Sequence, residues 1–215
     1  MITISRMLLV VLLLSAAGVF AEDSTVPPPD VLVQQVVDDI LASIRQNREL
    51  THDPGKMDGL VDAKILPHFD FFRMTRLTVG GRYWADATPQ EQRQLVDEYR
   101  TFLAHTFANV IAQYTNQTIF FAPLHMRPDD REVTVRTTVI DPADEPTELD
   151  YRMERTASGW MVYDVDVDYI WLTRIYRSNF DNELRRGGVR DLVRALHQKN
   201  HEVAVARNSQ GAGLP

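Results

Sequence analysis

The chain has 215 residues, 30 acidic against 23 basic side chains for a formal net charge of −7, and no cysteine. That charge argues against a phosphate-neutralising nucleic-acid surface and against broad adhesion to anionic membranes. Without cysteine there is no disulfide, no thiol nucleophile and no Cys-based metal site, so packing alone must hold the domain together.

Residues 1–21 read as a secretory signal peptide. Arg6 supplies a positive n-region, residues 7–20 are an apolar run relieved only by Ser15 and Gly18, and Val19-Phe20-Ala21 offers a small-residue cleavage pattern. The run is too short to span a bilayer comfortably, and no Cys follows it for lipid attachment. Residues 22–205 are expected to form one exported, soluble domain, and residues 206–215 a disordered tail.

The domain opens on a polar, Pro-rich leader, "EDSTVPPPD". Asp30 is a candidate N-cap for a helix through residue 47, where Val33, Val36, Val37, Ile40, Leu41 and Ile44 follow the 3.6-residue period. A second helix is predicted over residues 54–66, and an aromatic-dense stretch then closes on Gly80-Gly81. "TPQE" from Thr88 is a capping box with Pro at the first helical position. Leu95, Tyr99, Phe102, Leu103, Phe107, Val110, Ile111 and Tyr114 make one apolar stripe along that helix. At about 1.5 Å per residue it would run roughly 40 Å, a spine across the domain.

From residue 118 the period changes to two. Strands are predicted over residues 119–126, 132–141, 147–156 and 160–168, each with one greasy and one charged face, as in an antiparallel sheet wet on one side. Two helices, residues 169–186 and 189–203, flank Gly187-Gly188. Helices, then a meander, then helices make the class α+β.

The sharpest candidate for chemistry is the ladder Asp164, Asp166 and Asp168. A calcium loop would place Gly sixth and Glu twelfth after the first Asp; this chain has Tyr169 and Ile175 there. The three carboxylates are therefore read as a solvated strand face. His197 and His201 stand four apart on a predicted helix, but Gln198 replaces the Glu of a hydrolytic zinc helix, so they read as a surface pair. No nucleophile elbow, Walker loop or dinucleotide fingerprint is present. Asn116-Gln117-Thr118 fits a glycosylation acceptor and is read as a turn before a strand. The apolar residues fit a solid core or a cavity equally by period; the clustering of Met and long aromatics leans towards a cavity.

Three long stretches, "LPHFDFFRMTRLTVGGRYW", "TPQEQRQLVDEYRTFLAHTF" and "GWMVYDVDVDYIWLTRIYRSNFDNELRRGGVRDLVRAL", resemble in order the MlaC, or toluene-tolerance (Ttg2-type), family. The likeness runs over residues 30–200. It implies an NTF2-like fold, a curved antiparallel four-stranded sheet with helices enclosing a deep apolar pocket. It also implies a periplasmic shuttle for diacyl phospholipid in a Gram-negative bacterium, maintaining outer-membrane lipid asymmetry. The partners implied are an inner-membrane ABC transporter with an MCE-domain subunit and an outer-membrane lipoprotein complex. No catalytic residue, metal or cofactor belongs to that picture; the phospholipid is cargo, and a monomer is the default. One departure stands out. Where the family pattern has Gly, Val or Ile, Ser, Leu, this chain has Tyr169, Ile170, Trp171 and Leu172, which either narrow the cavity or turn outwards.

Exposing a diacyl lipid with about thirty methylenes costs on the order of 24 kcal/mol, so a carrier needs a dry lining with few polar groups. The alternation assigns that lining to Phe107, Val110, Ile111, Tyr114, Val133, Val135, Tyr151, Met153, Tyr163, Val165, Val167, Ile170, Leu172 and Tyr176. Arg76, Arg82 and Arg177 are candidate mouth residues beside a phosphate. Two other classes stay open: a small-molecule enzyme on an NTF2-like scaffold, which requires an acid or base inside the pocket, and a non-carrying adaptor plugged by Tyr169 and Trp171.

Overall fold

The computed structural model describes residues 26–113, 116–142 and 144–211; the predicted signal peptide lies outside them. The first helix, α1, spans Pro29–Gln46 and begins on a proline pair, with Pro28 rather than Asp30 at the cap position. It buries Val33, Ile40, Leu41 and Ile44. Helix α2 (Pro54–Lys64) is capped by Asp53, whose carboxylate accepts from the Lys56 amide. The aromatic-dense stretch makes two helices, α3 (Phe71–Val79) and α4 (Gly81–Asp86), divided at Gly80 with φ 81°. A side chain at that φ would be strained, so glycine fits the break.

The predicted capping box is present: Thr88 accepts from the Glu91 amide, and the Glu91 carboxylate accepts from the Thr88 amide, opening α5 (Pro89–Ile111). Its 23 residues give a helix of about 34 Å. Leu95, Tyr99, Leu103, Ala104 and Ala108 are its buried face. The predicted stripe departs at the C-terminal end, where Phe107 and Ile111 are half-buried and Val110 is 65% exposed. Tyr114 lies outside the described residues.

The sheet is an antiparallel meander of five strands in sequence order: β1 (Thr118–Phe121), β2 (Glu132–Ile140), β3 (Thr147–Thr156), β4 (Gly159–Val167) and β5 (Ile170–Trp171). The first is shorter than predicted because Pro123, which lacks an N–H, follows its last ladder bond, from the Ala122 amide to the Arg136 carbonyl. The fifth strand exists because the chain turns back at Asp168-Tyr169 and pairs Ile170 with Val167 and Trp171 with Asp166. Both turn residues sit at positive φ, 50° and 68°. That is the I′ hairpin, whose second position strongly prefers glycine. Here a tyrosine occupies it.

A bulge between Arg152 and Met153 pairs Met153 with Val162 but Arg152 with Asp164, leaving Tyr163 without a Cα partner. Strict alternation breaks there. Trp160 and Val162 join Val165 and Val167 on the apolar face, while Tyr163 leaves it. The Tyr163 ring lies 3.6 Å under the Arg73 guanidinium and its hydroxyl donates to Glu132. Tyr163 is therefore not part of an apolar lining.

The acidic ladder is also corrected. Asp164 is 1% and Asp166 4% exposed, because β5 and the start of the last helix fold over that face; Asp168 stays exposed. Asp164 accepts from the Thr173 amide at 3.2 Å, the Thr173 hydroxyl at 2.7 Å and the Val165 amide at 3.0 Å. It caps the N-terminus of α6 (Leu172–Gly211), where a carboxylate is stabilised by the exposed amides. Asp166 accepts from the Tyr169 amide, and Asp168 from the Glu148 amide.

Helix α6 is two helices joined at Gly187-Gly188, the predicted break. A Cβ on Gly187 would lie 2.4 Å from the Asp191 carboxyl carbon, and Gly188 has φ 66°. The second arm runs past the predicted end and is helical to Gly211. Arg207 fastens it, pairing with Asp58 and donating to Asn109 at 2.8 Å, so residues 206–211 are not a frayed tail. No helix among the described residues is long and apolar enough to cross a membrane.

Two consequences can be measured. Tyr169→Gly relieves a positive-φ side chain that makes no compensating packing contact, and is expected to raise the unfolding midpoint by about 2–4 °C, roughly 1 kcal/mol. An unchanged or lower midpoint by calorimetry would show that the turn holds no strain. Asp164→Ala removes the cap and is expected to cost about 2–4 kcal/mol. Burial holds the Asp164 carboxyl above its ordinary range, opposed by its Thr173 hydrogen bonds. Protonation therefore favours the folded state: this stability is present below the ordinary carboxyl pKa and is lost as pH rises through the raised one. Asp164→Asn should flatten that fall, and a pH series of denaturant melts identical to wild type would refute it.

Candidate functional site

The apolar side chains form two separate cores. One is helical, built by Met57, Met74, Leu95, Leu103, Tyr99 and Leu192 from α2, α3, α5 and α6. The other is the apolar face of the sheet, where Val135, Met153, Trp160, Val162 and Val165 pack with Val33 of α1. Among the described residues, the partly buried apolar side chains packed against both are Phe69 and Leu172. Phe69 reaches this place because the chain before α3 runs alongside β4, with the Asp70 amide donating to the Val162 carbonyl at 2.8 Å. Its ring stands 5.6 Å from Phe71 and 5.5 Å from Phe107.

The sheet's apolar face is unequally covered. At one end α1 closes it, and Val135, Met153, Val162 and Val165 are 6% exposed or less. The other end carries the β2–β3 turn, the β4–β5 hairpin and the start of β1, where Thr118 pairs with Ile140. Here Leu149, Val139 and Ile119 are half-buried, while Val167 is 36% and Ile170 50% exposed. The surface is a strip of apolar side chains that runs from the protected interior to open water.

The predicted lining residues therefore divide. Val133, Val135, Tyr151, Met153, Val165 and Leu172 are together on the sheet core, with Phe107 touching it through Phe69. Val167 and Ile170 belong to the open end and not to an enclosed wall, whereas Ile111 packs on the helical core and Val110 is exposed on α5. Tyr176 is elsewhere, in the helical core, stacked on Phe180 at 5.7 Å and edge-on to Phe102 at 5.3 Å. Its helix turns it towards α5 and away from the sheet. Val33, Trp160, Val162, Phe69 and Leu149 were missed. The register shift at the bulge hid Trp160 and Val162, and no periodicity marks a loop residue such as Phe69.

Polarity in this strip is low. Tyr151 is the main titratable group, and burial pushes its phenol up to about 12, partly offset by a hydrogen bond with Thr137. It stays neutral at physiological pH. The ionised groups gather on the opposite face, where Arg73 bridges Glu132 at 2.8 Å and Glu154 at 2.5 Å, and Arg152 lies 3.6 Å over Trp171. Trp171 is thus a platform for an arginine on the polar face and does not enter the apolar strip. Tyr169, 83% exposed, points outwards. Neither aromatic fills the space that the smaller family residues would leave.

Of the candidate mouth arginines, Arg177 is committed: its guanidinium donates to the carbonyls of Leu77 and Thr78 at the end of α3. Arg76 and Arg82 are exposed. His197 is a surface residue, paired with Glu98 at 2.7 Å. Among the described residues no three His, Asp or Glu stand together as metal ligands would. Two recesses lie away from the strip. One, of about 230 Å³, opens between α5 and the arms of α6 over Phe102, Tyr176, Phe180 and Leu196. The other, of about 260 Å³, lies beside Gly187-Gly188. Both are below the roughly 300–1,000 Å³ usual for a ligand pocket.

Known proteins share this arrangement. Toluene tolerance protein ttg2D of Pseudomonas putida is 25% identical over 179 residues, spanning 83% of this chain and 82% of that protein. A solved structure of a phospholipid-binding protein from Ralstonia solanacearum, in complex with a phospholipid, is 38% identical and superposes with a TM-score of 0.74. That superposition covers 83% of this chain and 99% of the other. The sequence family described as MlaC protein matches residues 34–198. With most of the domain matched and the helix-and-meander architecture in common, the chain belongs to the MlaC family.

Proposed function

We propose that this protein binds diacyl phospholipid and carries it through the periplasm between the outer and inner membranes. The observation that carries the reading is the apolar strip: a sheet face sealed by α1 at one end and open at the other, with its charges turned to the opposite face. Support comes from the 38%-identical Ralstonia protein, whose structure holds a phospholipid. Tails enter at the Val167–Ile170 end and advance over Tyr151, Val133 and Val165, while the headgroup stays in water.

The tails gain shelter only if the sheet and helical cores part, because the interior is occupied by the protein's own side chains. Among the described residues Phe69 and Leu172 are the partly buried apolar side chains packed on both cores, and the ion pairs of Arg73 with Glu132 and Glu154 tie α3 to the sheet. Polar ties re-form with water when broken, so parting costs far less than splitting a single core. Loading replaces Phe69 and Leu172 contacts with acyl chain, which returns apolar burial of similar kind.

The protein acts as a carrier and not as a catalyst in this reading. Asp164 is the one buried carboxylate of displaced pKa in the sheet, and its oxygens are used by Thr173 and Val165 on the side away from the strip. The partners proposed are the inner-membrane ABC transporter with its MCE-domain subunit and the outer-membrane lipoprotein complex. Residues 1–21 act as the export signal.

Protein purified from bacteria should release phospholipid on solvent extraction and show a lipid-bound mass by native mass spectrometry. Val167→Asp places a charge in the strip at a position 36% exposed, so it should lower the unfolding midpoint only slightly while reducing lipid occupancy by about tenfold or more. Wild-type protein that carries no lipid and cannot be loaded from vesicles would sink the proposal.

A further inference from the structure

The β4–β5 hairpin tip combines features that the lipid strip does not require. Tyr169 is 83% exposed at φ 68°, a conformation unfavourable for any side chain. Its amide is fixed by Asp166, but its ring stands in water and makes no aromatic or cation–π contact with the described residues. A strained residue that the fold does not reward is the kind retained for contact with something else. The tip is also rigid in the sense that matters for recognition. The Asp168 amide donates to the Glu148 carbonyl and the Glu148 amide to the Asp168 carboxylate, each at 3.0 Å. With the backbone of the turn held, only the rotation of the ring itself is lost on binding.

Charge decides what it meets. Around the tip, the same end of the sheet carries Asp168 and Glu148, with exposed Asp144 and Glu145 in the adjoining β2–β3 turn. An anionic membrane surface would be repelled by that collar. A second copy of the chain would set acidic collar against acidic collar. A folded protein with Lys or Arg around an apolar recess fits both the ring and its surround.

We infer that the Asp168-Tyr169 hairpin tip is a docking surface for a protein partner with a basic face, with Tyr169 as the anchor that enters an apolar socket. The tip adjoins Val167 and Ile170, so a partner seated on it would stand over the open end of the strip. The inference rests on the carrier reading for its biological sense, but its test does not depend on lipid.

The experiment measures binding of the purified, exported chain to two immobilised probes, the soluble MCE domain of the transporter subunit and the outer-membrane lipoprotein. Vesicles of phosphatidylcholine with phosphatidylglycerol serve as the lipid comparison. Wild type should bind at least one protein probe with an affinity that falls as salt is raised, and should not bind the vesicles. Tyr169→Gly should weaken that binding by about tenfold or more, while its midpoint is not lowered and its lipid content is unchanged. Glu148→Gln should chiefly slow association. Phe72→Ser, at another exposed aromatic, 54% exposed beside Trp84, should bind as wild type. Equal binding by wild type and Tyr169→Gly overturns the inference, as does failure of wild type to bind either protein. Tyr169-dependent binding to vesicles overturns it in favour of a membrane anchor. Loss of the carrier reading would appear separately, as absence of lipid from wild type.

Discussion

The capping of α6 by Asp164 decides which face of the sheet is available. A carboxylate on β4 takes up the Thr173 amide and hydroxyl, and so draws the first turn of the long C-terminal helix onto the charged side of the sheet. Once that side is covered, Arg73, Arg152, Glu132 and Glu154 must satisfy one another there, and the apolar side is left to α1, Phe69 and Leu172. Without this contact the helix would have no reason to leave the hairpin in that direction. The acidic ladder is therefore an architectural device: Asp164 is buried for the sake of a helix terminus, and Asp166 and Asp168 close the turn beside it.

The division into two cores follows from the same geometry. A helical layer fastened at the β4 edge and by polar contacts cannot mesh its apolar side chains with the sheet along the whole length of α5. What remains between the layers is a seam bridged by Phe69 and Leu172. In an ordinary domain such a seam would be a defect, since each core is smaller than one combined core and buries less area per residue. In a protein whose interior must exchange a water-insoluble cargo, it is the place where separation costs least.

Much of this was legible in the sequence. The Thr88 capping box, the break at Gly187-Gly188, the meander and the change of period at residue 118 each rest on local chemistry that tertiary contacts do not overrule. The family resemblance supplied the architecture. What failed did so where a non-local event intervened. Tyr163 was assigned to the wrong face because one register shift in β3–β4 reverses the alternation beyond it. Asp164 and Asp166 read as wet because charge on a strand face normally means solvent, and the folding back of β5 and α6 cannot be seen from strand period. Val110 sits on the apolar stripe of α5, but there Ala108, Ile111 and Ala112 take the packed side and Val110 is left to solvent, so period alone overstates its burial. Arg207 was lost in an apparent tail because its partners Asp58 and Asn109 lie far away in sequence.

The departure at Tyr169 and Trp171 separates two pressures on one short segment. Trp171 has an internal reason to exist, for it supports the Arg152 guanidinium beside Asp164 and so strengthens the charged side of the sheet. A serine there could not give that platform, and the cavity loses nothing, because the ring lies on the far face. Tyr169 has no such internal reason. It stands in a turn position suited to glycine, in water, on a hairpin already closed by Asp166 and Asp168. Two substitutions two residues apart thus act in opposite directions, one consolidating the fold and the other straining it. Packing accounts for the first alone, and the second is explained only by a surface outside the molecule.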